Sequence, residues 1–297
     1  MIKSYPEIFT LGAGPIKDIF DGEIEITEKV DGSFISFGIV DGVLYIRSKS
    51  SLLFDESIGT LSKNSMFDSG INYIKSIKSI LPNDVVFYGE YFLRPKHNVL
   101  KYNRVPKNNI ILFGCALHPQ MDFIDMYTFD MGLEYVPVLE EGKFTPTQAF
   151  YDNLTSKESI LGGGIEGIVI KNYKKVVTYK DKCIAPIMIG KYVLDKFKEV
   201  HKVDWKQGEN RFEKYFDSFK TTARWEKAVQ HLKEKGELIN DPKDIGLLIK
   251  EVQADVFKEE EDDIKQFLFN GYKNQISKAI IRGLPEWYKE KLLQNLN

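Results

Sequence analysis

Glu28-Lys29-Val30-Asp31-Gly32-Ser33 stands between two stretches that alternate as half-buried strands, Glu23 to Thr27 before it and Phe34 to Val40 after it. A lysine two residues ahead of Asp-Gly at a strand end is held on a rigid sheet edge, a setting suited to covalent catalysis. Lys29 is therefore the candidate nucleophile. A second Asp-Gly, Asp41-Gly42, separates Phe34–Val40 from Val43–Arg47 and predicts a two-residue hairpin. A turn centred there sets Arg47 opposite Ser36 and Lys49 opposite Phe34. At about 3.3 Å per residue, both cations return to within side-chain reach of the Lys29 loop. Lys-x-Asp-Gly also occurs in plain solvated hairpins, so the rest of the chain has to decide.

Four further segments carry chemistry. Phe87-Tyr88-Gly89-Glu90-Tyr91-Phe92 is an aromatic strand that holds a carboxylate among large apolar neighbours, which is costly unless Glu90 is paired or meets a ligand. Ile110 to Ala116 is a continuously apolar strand whose Phe113 could offer a flat face to a purine, or could simply be core. Gly162-Gly163-Gly164 turns into Ile165-Glu166-Gly167-Ile168-Val169-Ile170-Lys171, a strand with one carboxylate at its head and one lysine at its tail. Ile189-Gly190-Lys191-Tyr192-Val193-Leu194-Asp195-Lys196-Phe197 sets lysines on and beside a last apolar strand.

In order and spacing these five segments resemble the covalent nucleotidyltransferase superfamily of polynucleotide ligases and RNA-capping enzymes, over about residues 20–200. The resemblance implies an α+β fold: a nucleotidyltransferase, ATP-grasp-like ligase core of antiparallel sheets flanked by helices. It implies that Lys29 attacks the α-phosphate of ATP and forms a lysyl-AMP, with Lys191 and Lys171 as the other catalytic lysines. Glu28, Asp31, Gly32, Arg47, Lys49, Glu90, Phe113, Glu166 and Lys196 would line the nucleotide site. Asp31, Glu90 and Glu166 would hold Mg²⁺ or Mn²⁺, largely through its water shell. The lysine that the family carries two residues after Lys191 falls at Val193, a departure that leaves either Lys191 acting alone or Lys196, Lys171 or Arg47 compensating. The same lysine-to-phosphate chemistry leaves open an ATP-dependent RNA ligase, a DNA ligase, a capping guanylyltransferase and an idle module that binds nucleic-acid ends.

The remainder of the chain narrows these. Nothing after Trp205 alternates as the strands of an OB barrel would. Phe212, Tyr215, Phe216 and Phe219 recur at helical spacing, as do Trp225, Ala228, Val229 and Leu232. Asp241-Pro242 caps a third helix through Ile245, Leu248, Ile249, Val252 and Val256, and Gly283 marks a stop before a last helix with Trp287, Leu292 and Leu293. The acidic run Glu259 to Asp263 is expected at a helix start. An all-α C-terminal domain, residues 204–297, is thus expected after a nucleotidyltransferase domain of residues 1–203, with the linker at His201 to Asn210. A core followed by helices resembles the phage-type RNA ligases that seal nicked RNA.

Bulk properties fit without choosing. The 297 residues suit two domains. The net charge of −2 is poor for a nucleic-acid binder, but nine lysines against three acids between Lys171 and Lys202 give a local balance of +6. RNA ends or a nicked duplex are the expected partners, with Arg94-Pro95-Lys96 and Lys101 to Lys107 as a second basic stretch. No apolar run approaches about 18 residues, so no membrane contact is expected and a monomer in the cytoplasm is. Cys115 and Cys183 lack metal spacing and are expected as buried thiols, and the four histidines show no ligand pair.

Overall fold

The computed structural model describes residues 2–61, 65–179, 182–194 and 211–294. In chain order the first elements are β1 Phe9–Thr10, β2 Ile24–Lys29, β3 Ser33–Val40, β4 Val43–Ser48, β5 Leu52–Asp55, β6 Gly59–Thr60 and helix α1 Asp68–Ser76. Next come β7 Val85–Tyr91, β8 Ile110–Leu117, β9 Asp122–Ile124, β10 Glu134–Tyr135, β11 Val138–Gly142 and helix α2 Gln148–Thr155. The strands β12 Gly167–Asn172, β13 Val177–Tyr179, β14 Lys182–Ala185 and β15 Met188–Val193 follow. After them the described residues form helices alone: α3 Arg211–Asp217, α4 Thr222–Lys235, α5 Ile245–Ile280 and α6 Leu284–Gln294. The chain is α+β, as the sequence predicts.

Two sheets carry the site. The first runs β1-β15-β12-β2-β11, and the second β10-β8-β7-β3-β4-β5-β6 with β9 beside β8. Their pairings are antiparallel except for β1 with β15 and β10 with β8. The predicted hairpin is present. Asp41 and Gly42 both have positive φ, 52° and 77°, which matches the twist of the flanking strands, and Ser36 stands opposite Arg47. Lys49 lies just beyond the ladder, which ends at the Ile35–Ser48 pair.

Strand periodicity sorts each sheet into two faces. Ile24 and Ile26 of β2, Ile168 and Ile170 of β12 and Met188 of β15 are buried together on one face of the first sheet. The register therefore turns Glu25, Thr27 and Lys29, Val169 and Lys171, and Ile189, Lys191 and Val193 to the other face. In the second sheet, Ile35, Phe37, Ile39, Ile46, Phe87 and Tyr91 enter the main core. Phe34, Ser36, Arg47, Tyr88 and Glu90 share the opposite face. These two remaining faces meet across a cleft, which the N-terminal residue Tyr5 joins by packing with both.

Two compact units divide at Asp244 and Ile245. The boundary expected at 203/204 and the linker at 201–210 lie outside the described residues, but α3 and α4 belong to the same unit as the sheets. The expected helices are present as α3 to α6, with a short turn at Pro242–Asp244 ahead of α5. The acidic run Glu259 to Asp263 corrects one expectation: it sits inside α5. No Gly or Pro interrupts the chain there, and the Lys265–Glu261 pair at 2.8 Å ties the turns together.

Two other expectations need correction. Cys115 is buried but Cys183 is exposed. The +6 balance counted along the chain does not survive folding intact. Lys171, Lys174 and Lys175 pair with Glu25, Glu23 and Asp21 at 2.9, 3.1 and 3.0 Å, acids from the β2 region that the linear count left out. No helix among the described residues is long and apolar enough to cross a membrane.

Candidate active site

Lys29 ends β2 on the cleft face, and its Nζ donates to both carboxylate oxygens of Glu166, at 2.8 and 2.7 Å. Its side chain is 24% exposed, so the amine faces the cleft and not open solvent. Burial works against the ammonium form, yet Glu166, Asp31 and Glu90 together outweigh it and hold Lys29 above the usual lysine range. Burial also dominates on the acids, raising Glu166 to about 7 and Glu90 to about 8 in spite of the lysine. Glu90, from β7, has a buried Oε2 with no hydrogen-bond partner. Such an orphaned acceptor suits a ligand or a cation.

The turn after Lys29 is locked from outside. Asp31 accepts from Asn98 Nδ2 at 3.1 Å and from the backbone N–H groups of Val99 and Leu100 at 2.9 and 2.7 Å. The Asp31 N–H donates to Tyr102 Oη at 2.8 Å, and Asn98 Nδ2 also reaches the Gly32 carbonyl at 2.7 Å. Gly32 is there because a Cβ would stand 2.8 Å from the Phe92 ring and 2.9 Å from Glu90 Cβ. Only a bare backbone lets the turn lie this close to Glu90.

The other expected residues divide. Lys191 shares the cleft face with Lys29 and is close enough to Glu166 to favour its ionised form. Lys171 shares the face too, but four residues along β12 from the Lys29–Gly167 pair it lies about 13 Å down the strand. There it is buried, donating to Glu25 Oε1 and the Phe113 carbonyl, each at 2.9 Å. The structure does not bring Lys171 to the Lys29 amine. Val193 stands in the same cross-strand row as Gly167 and Lys29, so the missing family lysine would have been directly beside them.

Glu28 points to the far face, where its carboxylate accepts from Ser159 Oγ and, at 3.0 Å, from the Ile160 N–H. It secures the glycine loop behind the site. Phe113 sits at a bulge in β8, edge-on to Tyr5 with ring centroids 4.9 Å apart. Arg47 Nη1 donates to the Ile2 carbonyl at 3.4 Å, and Lys49 is exposed. Lys196 lies outside the described residues. Among the described residues no three Asp, Glu, His or Cys side chains are grouped to hold a metal. Of the three expected holders, Asp31 corrects the reading, because both its oxygens already accept hydrogen bonds from the 98–100 loop. Glu166 keeps both oxygens on the amine and Glu90 keeps a buried Oε2 without a partner, and two carboxylates suffice for a hydrated Mg²⁺ that also meets phosphate.

Sequence reasoning missed Tyr5, Asn98, Tyr102 and Ser159. None lies in an apolar pattern or an acid–base motif, and their contacts join residues 66 to 131 positions apart or meet on separate sheets.

Two facing, mostly antiparallel sheets, with a lysine at a strand end among carboxylates between them, give the fold of a nucleotidyltransferase. The family model described as RNA ligase matches residues 22–193, more than half of the sequence, and the chain belongs to that family. No curated protein sequence matches it. Among solved structures, a mutant of the Naegleria gruberi RNA ligase with ATP and Mn is 13% identical with a TM-score of 0.45, over 65% of this chain and 56% of that one. The Naegleria gruberi RNA ligase with PPi is 13% identical with a TM-score of 0.43, over 64% and 56%. A protein of Aquifex aeolicus provisionally described as an ATP-dependent DNA ligase is 13% identical with a TM-score of 0.42, over 97% and 68%. The chain thus spans little more than half the length of the Naegleria gruberi structures.

Proposed function

We propose that the protein is an ATP-dependent RNA ligase that joins a 5′-phosphate to a 3′-hydroxyl through a lysyl-AMP. The observation that carries this is the Lys29 amine, held by Glu166 within the inter-sheet cleft, in a chain of the RNA ligase family. Lys29 Nζ attacks the α-phosphate of ATP, an N–P bond forms, and the bond to the pyrophosphate oxygen breaks. The amine must first lose a proton. Glu166 Oε2 lies 2.7 Å away, in reach to take that proton. Glu90 and Glu166 would hold a divalent cation, which supplies charge neutralisation at the phosphate. Lys191 adds a fixed positive charge on the same face, and Phe113 offers a ring to the adenine. AMP then passes from Lys29 to the 5′-phosphate of an RNA end, and a 3′-hydroxyl displaces it.

Incubation with α-labelled ATP and a divalent cation, followed by a denaturing gel, tests the reading. An acid-labile label on the wild type that is absent from Lys29→Ala is expected. No label on the wild type overturns it. Labelling from GTP in preference to ATP identifies a capping enzyme instead, and sealing of nicked DNA but not RNA identifies a DNA ligase.

A further inference from the structure

Ser33, the residue that closes the Lys29 turn and opens β3, is buried together with His97, Gln230 and Glu234. Two of these four come from α4, about two hundred residues further along the chain. Ser33 Oγ donates to Glu234 Oε1, lies 2.7 Å from His97 Nε2 and accepts from Gln230 Nε2 at 3.0 Å.

The tautomer follows from the far side of the ring. The Leu93 N–H donates to His97 Nδ1 at 3.0 Å, so Nδ1 carries the lone pair and the ring proton sits on Nε2, facing Ser33. A protonated ring would turn a second hydrogen onto the Leu93 N–H. Burial, reinforced by Arg94 and Lys233, accordingly pushes His97 down to about 4. The Ser33 hydroxyl thus receives two hydrogen bonds and has one proton to give, which goes to the Glu234 carboxylate. Every group on this hydroxyl is used, and a satisfied buried network of this kind fixes its members in one arrangement.

The network grips the nucleophile's turn from two sides. One grip is direct, through Ser33, two residues from Asp31. The other runs through His97 to its neighbour Asn98, whose amide reaches both Asp31 and the Gly32 carbonyl. Glu234 also lies close enough to add to the raised state of Glu90.

We propose that Glu234 and Ser33 are positioning residues for the covalent step: through the Glu234 carboxylate, α4 fixes the turn from which Lys29 projects. This rests on the reading of Lys29 as the nucleophile. The alternative is a plain staple that holds α4 to the sheet, which would set stability but not the rate of a folded molecule.

The test uses the full chain, with the maximal rate of Lys29 labelling and the KM for ATP measured per folded molecule. Glu234→Ala is expected to lower the maximal rate about tenfold, as for a slightly misplaced nucleophile, with KM for ATP little changed. Glu234→Gln, which still accepts from the Ser33 hydroxyl, recovers most of the rate. Ser33→Ala gives a similar fall, and the double variant falls no further. Wild-type maximal rates in Glu234→Ala, equal losses in Glu234→Gln and Glu234→Ala, or additive losses in the double variant overturn the proposal. If Glu234→Ala does not fold, a wild-type rate in Ser33→Ala does the same. No label on the wild type overturns the Lys29 reading itself, and this one with it.

Discussion

The Lys29 amine, which we propose as the nucleophile, is held toward its ammonium form in the free protein, because Glu166, Asp31 and Glu90 outweigh its burial. Its reactivity is thereby tied to whatever relieves those carboxylates. The turn that holds it depends on fit more than on charge. Gly32→Ala would press a methyl group into Phe92 and Glu90 Cβ, both under 3 Å away. Overpacking of this kind is expected to cost about 1–3 kcal/mol in urea unfolding, with labelling slowed as well. Asp31→Ala strips the acceptor from Asn98, Val99 and Leu100 and should also cost about 1–3 kcal/mol, while Asp31→Asn, which keeps one carbonyl acceptor, should lose less. Both changes are read by the denaturant midpoint, and neither requires the nucleotide.

Adjacent strands explain why three lysines on one face have different work. β12 lies between β2 and β15, so Lys29, Gly167 and Val193 form one row and Thr27, Val169 and Lys191 the next. Val193→Lys adds a cation in the nucleophile's own row. The expected outcome is a shift of the pH–rate profile for labelling toward lower pH, because a like charge disfavours the ammonium. The segment that holds His97 gives a second pH effect. Its folded value of about 4 lies below the ordinary 6.5, so its contribution to stability is complete above about 6.5 and is lost as pH falls toward 4. Melting temperatures compared at about pH 7 and pH 5 should drop less in His97→Gln than in the wild type. The hairpin and the register of Arg47 on Ser36 were legible from alternation and one Asp-Gly. The 97–102 loop was not, since its partners are backbone N–H groups and a turn that no periodicity marks.

At the scale of the whole molecule, sequence alternation located the strands of the core, and helical spacing located α3 to α6. Helical spacing set α4 within the C-terminal helical domain expected at 204–297, whereas the structure groups it with the sheets. Gln230 and Glu234 lie within an ordinary amphipathic pattern, and only their burial against Ser33 shows where that helix belongs. A chain ending at Asp244 retains the unit that contains both sheets and α4, and is expected to unfold in one transition and to keep covalent labelling. A chain ending at 203 lacks α4, leaves Ser33 and His97 without Glu234 and Gln230, and is expected to label at least several-fold more slowly. Gel labelling of the two fragments checks both. One buried contact then ties the two sheets together. The Lys171 ammonium bonds to Glu25 on the first sheet and to the Phe113 carbonyl on the second, and it is almost wholly enclosed. It acts as a rivet through the floor. The sheets cannot part at that end without stranding a buried charge, so Lys171 pins them together about 13 Å along β12 from the row that holds Lys29.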